Sequence, residues 1–177
     1  MNKIIKQFID IFVRYGILIL VALPNLWIFY FIFTPLTIYP AYFLFGLIFD
    51  SFLIGNIIFI EGFPVEIIKA CVVGSAYYLL LILNLSVPKI KFQKRIKMIG
   101  FSFIFLLIIN ILRIFFLGTI FISNSSWFDI SHKLFWNLGS VVFVIGIWFV
   151  EVKLFKIKGI PFYSDFRFLY KKSKIKW

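Results

Sequence analysis

"KIKFQKRIKMIGFSFIFLLIINILRIFFLGTIFI", residues 89–122, decides how this chain folds. It opens on a basic cluster, Lys89, Lys91, Lys94, Arg95 and Lys97, and continues from about 98 to 122 as an almost unbroken apolar run. About 20 helical residues cross a hydrocarbon core of about 30 Å, so the run predicts a transmembrane helix. Lys and Arg collect on the cytoplasmic side of membrane proteins, which places the cluster inside and the far end of the helix outside.

The rest of the chain repeats this pattern. Of 177 residues, 63% are hydrophobic and 26 are Phe, with a mean hydropathy of +1.05, more apolar matter than one soluble core buries. The apolar runs are solid rather than alternating, which favours helices over a barrel. The prediction is an all-α polytopic bundle forming one membrane domain over 1–177, with about five spans. The net charge of +12 lies in short clusters between apolar runs, so it reports orientation and does not form a nucleic-acid-binding face.

Residues 3–15 set Lys3, Lys6, Asp10 and Arg14 against Ile4, Phe8, Ile11 and Tyr15 at helical spacing, as in an interfacial helix. The opening also lacks the small-residue cleavage site of a removable signal peptide. Crossings are expected at about 16–33, kinked at Pro24, and at about 37–55. In "NIIFIEGFPVEIIKAC" the arms Ile57–Ile60 and Val65–Ile68 flank Glu61-Gly62-Phe63-Pro64, which reads as a short hairpin outside the bilayer. A third crossing from about Ile67 to Val87 ends at Pro88, and a fourth follows the basic loop. The polar stretch "SNSSWFDIS" leads into a fifth at about 133–152, and the lysine-rich tail from Lys153 belongs inside with the basic loop. Two crossings before the hairpin put the N-terminus outside, whereas Lys3, Lys6 and Arg14 favour the inside; a segment that dips into the bilayer and returns is the alternative.

Three residues stand out on this topology. Cys71 is the only cysteine and His132 the only histidine, and both fall toward the outer face. Arg113 sits within the fourth span, where a charge costs about 2.5–3.5 kcal/mol and marks a functional candidate. The duller readings are an inert small cysteine, an interfacial histidine, and an arginine paired with Asp50 or Asp129. Taken together, a thiol, an imidazole and a guanidinium supply a nucleophile, a proton carrier and a fixed positive charge for a thiolate or an oxyanion. Depth is the difficulty. Arg113 lies about nine residues, or about 14 Å, below the outer end of its helix, so a sunken pocket is needed to bring it to Cys71. No P-loop, HExxH or GxSxG motif is present, no set of metal ligands is apparent, and no cofactor is expected.

"ACVVGSAYYLL" around Cys71, "NILRI" around Arg113 and "SHKLFWNLGS" around His132 resemble, in order and spacing, the archaeosortase/exosortase family of membrane-embedded cysteine transpeptidases. The resemblance covers about residues 36–155. It implies that Cys71 is the nucleophile, His132 the acid/base and Arg113 the stabiliser, with Asn110 of the Asn-x-x-Arg pattern orienting Arg113. It further implies exported protein substrates with a C-terminal tripartite sorting tail, cleaved at the outer face of a prokaryotic cell membrane, and a lipid or another acceptor for the new C-terminus. The chain departs from the family in having Val72 rather than a hydroxyl residue after the cysteine, and in being short. A second reading makes the protein a non-catalytic transport or assembly component, with Asp50, Asn56, Arg113 and Asn137 lining a polar path.

Overall fold

The computed structural model describes residues 3–123 and 139–173. These form α1 (Lys3–Ala22), α2 (Trp27–Gly46), a sheet of β1 (Ser51–Ile54), β2 (Ile57–Ile60) and β3 (Phe63–Glu66), then α3 (Lys69–Val72), α4 (Gly74–Leu85), α5 (Phe92–Ile122), α6 (Ser140–Leu154) and α7 (Tyr163–Ser173). Two of the described helices, α2 and α5, are long and apolar enough to cross a membrane, where five crossings were expected. The helical stretch Lys69–Leu85 is apolar but shorter. The expected fifth crossing is described only from residue 139 onward.

The expected first crossing is not one helix. Pro24 ends α1, and Asn25 and Leu26 take left-handed backbone with φ of 50° and 58° before α2 begins. The interfacial segment and the start of that crossing therefore merge into α1. The expected second crossing stops at Gly46, since Ser51–Ile54 pairs as a strand. Pro35 and Pro40 stay inside α2, as membrane helices tolerate when neighbours cover the freed backbone groups.

The hairpin is a three-stranded antiparallel meander in the order β1-β2-β3. Its second turn is Glu61-Gly62, with φ of 51° and 81°, the two positive values of a type I′ connection. The arm after it is therefore Phe63–Glu66 rather than Val65–Ile68. Phe59 pairs with Pro64, which has no N–H to donate and is accommodated because β3 is an edge strand.

Contacts along the helices fix their directions. Arg14 donates to the carbonyl of Leu85, and the carbonyl of Leu18 accepts from the Tyr78 hydroxyl, so α1 runs opposite to α4. Phe29 and Phe33 pack on Tyr77 and Phe103, while Phe45 lies on Phe115, so α2 runs with α5. Residues 3–46 thus make one net passage along the bundle. This removes the conflict over the N-terminus: Lys6 and Arg14 lie beside Lys89, at the same end as the basic 89–97 stretch and α7. α6 returns toward that end, from Ser140 beside Arg113 to Glu151 beside Asn84.

Close approach relies on small residues, as expected where apolar burial alone does not hold helices together. A Cβ on Gly118 would lie 2.5 Å from Phe45 Cζ, and one on Gly74 would lie 2.8 Å from the Tyr30 ring. At the basic end two arginines cap α4. Arg95 donates to the carbonyls of Asn84, Leu85 and Val87, satisfying backbone acceptors that every helix C-terminus leaves open. Arg14 donates to Leu85 and pairs with Asp165 of α7 at 2.9 Å.

Candidate functional site

Cys71 belongs to the single turn α3, entered from β3 through Ile67 and Ile68. The turn ends at Val73, whose φ of 54° and ψ of 41° lie in the left-handed region. A β-branched residue there is strained by about 1–3 kcal/mol, so the surroundings must hold it. An unbroken helix would engage the Cys71 carbonyl with the N–H of Ser75. Here two side chains of α5 take that carbonyl. Asn110 Nδ2 donates to it at 2.7 Å and Arg113 Nη2 at 3.4 Å.

Asn110 and Arg113 reach the same atom because residues three apart share a helix face. The structure thus brings Cys71, Asn110 and Arg113 together. Asn110 bonds the turn that carries Cys71, a different task from the expected orientation of Arg113. The depth difficulty also resolves: Cys71 is itself level with Asn110, well below the end of α5, so Arg113 need not reach upward. Arg113 has no carboxylate partner among the described residues, and its buried Nε has no hydrogen-bond partner there. His132 and Asp129 lie outside the described residues.

Beside this junction is a cavity of about 210 Å³, lined by Lys69, Ala70 and Val73 of the cysteine-bearing segment, Gly74 and Ser75 at the start of α4, Tyr30, Arg113 and Ser140. Lys69 Nζ lies 5.6 Å from the centre of the Tyr30 ring, within cation–π range. Tyr30 is held there by Gly74, since any larger residue would collide with its ring. Cys71 is part-exposed and unpaired, as a nucleophile requires.

Lys69, Tyr30 and Ser140 were missed by sequence reasoning. The available signal for Lys69 was a cation placed away from the basic loops. A second unforeseen feature is deeper in the bundle: Asn84 Nδ2 contacts Glu151 Oε2 at 3.1 Å and Ser102 Oγ at 3.4 Å, with Asn84 and Glu151 fully buried.

Among the described residues of the second reading's polar path, Asp50 and Asn56 are at the sheet and not beside Arg113. Asp50 is exposed beside the sheet, its backbone N–H bonded to Glu61, and Asn56 sits in the β1–β2 turn bonded to Glu66, because the segment expected to finish a crossing forms strands instead. Asn137 lies outside the described residues. Among the described residues no group of three or more His, Cys, Asp and Glu is placed to hold a metal ion. The chain matches no model of a known protein family, no curated protein and no solved structure.

Proposed function

We propose that the protein is a membrane-embedded cysteine transpeptidase or protease of the archaeosortase/exosortase kind, which cuts the C-terminal sorting tail from exported proteins. The observation that carries this reading is the joint hold of Asn110 and Arg113 on the Cys71 carbonyl beside a polar cavity. It is supported by the order of Cys71, Arg113 and His132 along the chain.

In this reading α4 and the segment ending in α6 complete the crossings begun by α2 and α5, giving a bundle with the basic end in the cytoplasm. The cavity then opens toward the exterior. His132 takes the proton of the Cys71 thiol, and the thiolate sulfur attacks the carbonyl carbon of the scissile peptide bond. Arg113 stabilises the negative charge, first on sulfur and then on the tetrahedral oxygen. The C–N bond breaks, and the leaving amine takes the proton from His132. An acceptor nucleophile then attacks the thioester, giving up its proton through His132, and the thiol leaves. A lipid amine or hydroxyl as acceptor makes this a transpeptidase or transferase; water makes it a protease.

The test is co-expression with an exported protein whose tail carries a short signature, an apolar span and a basic cluster. Processing is expected with the parent chain and absent with Cys71→Ala, Arg113→Ala and His132→Ala. Normal processing by Cys71→Ala would end the proposal.

A further inference from the structure

The lysines and arginines of the described residues divide sharply. All but Lys69 and Arg113 fall within residues 3–14, 89–97 and 153–172, segments that meet at the end where Arg14 grips Leu85 and Asp165. A cation placed against this bias needs a reason, because charge asymmetry is what orients such a chain. The two exceptions line the same cavity. We infer that this cavity is an anion subsite, built to seat a phosphate group between Lys69 and Arg113.

The lining suits an anion in kind as well as in charge. Tyr30, Ser75 and Ser140 bring hydroxyl groups to the wall, and among the described residues no carboxylate lines it. Arg113 spends Nη2 on the Cys71 carbonyl and leaves Nε buried and unpartnered, at a cost that a bound oxygen would remove. A phosphate presents more acceptor oxygens than a carboxylate, so it can engage the ammonium, the guanidinium and a hydroxyl together.

Depth indicates where the phosphate comes from. α5, with 31 residues, is about 46 Å long and overruns a hydrocarbon core of about 30 Å. Its first residues, the basic stretch up to Lys97, take about 9 Å of that length, so a core beginning there ends near residue 118 and the Arg113 backbone lies about 8 Å inside the opposite headgroup boundary, a depth that the long arginine side chain can span toward the headgroups. The headgroup phosphate of a lipid and a free phosphate share the required chemistry. The subsite shares Arg113 and its cavity with the proposed cysteine reaction, but its occupancy requires no turnover.

The experiment uses full-length Cys71→Ala protein, so that turnover plays no part and failure of the processing assay leaves this result intact. Thermal unfolding in an uncharged detergent is followed while short-chain phosphatidylglycerol, inorganic phosphate or short-chain diacylglycerol is titrated. A saturable rise in Tm is expected with a phosphate-bearing probe and not with diacylglycerol. Lys69→Gln should raise the half-saturating concentration about tenfold, whereas Lys69→Arg and the exposed basic-end control Lys158→Gln should hold it within about twofold. A response to phosphatidylglycerol alone identifies a lipid headgroup, and equal response to inorganic phosphate identifies a free anion. No rise with either phosphate probe, or a rise that Lys69→Gln leaves unchanged, overturns the inference.

Discussion

The side-chain amide of Asn110 donates a 2.7 Å hydrogen bond to the backbone carbonyl of Cys71, fastening the cysteine-bearing turn to the longest helix of the bundle. Asn110 is buried, so its loss leaves that carbonyl to Arg113 alone, at a longer 3.4 Å. Asn110→Ala should lower stability by about 1–3 kcal/mol. It should also loosen α3, seen as faster labelling of Cys71 by a membrane-impermeant maleimide. Labelling at the parent rate would show that the bond does not hold the turn.

Gly74 and Tyr30 form a second constraint on the same turn. A Cβ at position 74 would stand 2.8 Å from two carbons of the Tyr30 ring, closer than side chains approach, so Gly74→Ala must push the ring out of the cavity wall. The substitution alone should destabilise by about 1–3 kcal/mol, as overpacking does. Combined with Tyr30→Ala it should cost less than the sum of the two single changes. Strict additivity in thermal unfolding of the four proteins would contradict the contact.

Arg14 and Asp165 join the first and last described helices through side chains only 5% and 7% exposed. Removing one partner strands the other, so Asp165→Ala should cost about 3–5 kcal/mol and release α7 to protease attack near Tyr163. Arg14 also pairs with Asp10, but that carboxylate is 54% exposed and solvent screens the pair. Asp10→Ala should therefore change stability by less than about 1 kcal/mol. Equal sensitivity of the two variants in limited proteolysis would refute this division of roles.

Apolar length made the central helix legible: the run after Lys97 is long and the structure continues it unbroken to Ile122. The proximity of Cys71 and Arg113 was legible by type, since each is rare in such surroundings. What the sequence hid were interruptions. Val73 is β-branched, yet it takes left-handed backbone before Gly74 and separates α3 from α4 where Asn110 and Arg113 hold the Cys71 carbonyl. Residues Ser51–Ile54 read as the end of a span because they are mostly apolar, and only Gly55-Asn56 after them signals the turn that makes them a strand. Glu151 falls near the end of the expected fifth crossing, and its bond to Asn84 needs two helices distant in sequence to meet.

That bond supports the last prediction. Glu151 is fully buried and shares Oε2 with Asn84 Nδ2 at 3.1 Å, while Asn84 also touches Ser102 Oγ and the carbonyl of Leu80. The three residues link α4, α5 and α6 through one amide. Glu151→Gln retains the shape and an oxygen acceptor for that amide, so it should assemble and unfold close to the parent chain. Glu151→Ala removes the acceptor and opens a void, and should lower stability by about 2–4 kcal/mol, adding a lost buried hydrogen bond to a small cavity. Replacing both members, Glu151→Leu with Asn84→Leu, deletes donor and acceptor together and should recover part of that loss, since no buried group is then left unpaired. Thermal unfolding of the three variants in detergent measures the order. If Glu151→Ala proves as stable as Glu151→Gln, the amide does not join the helices.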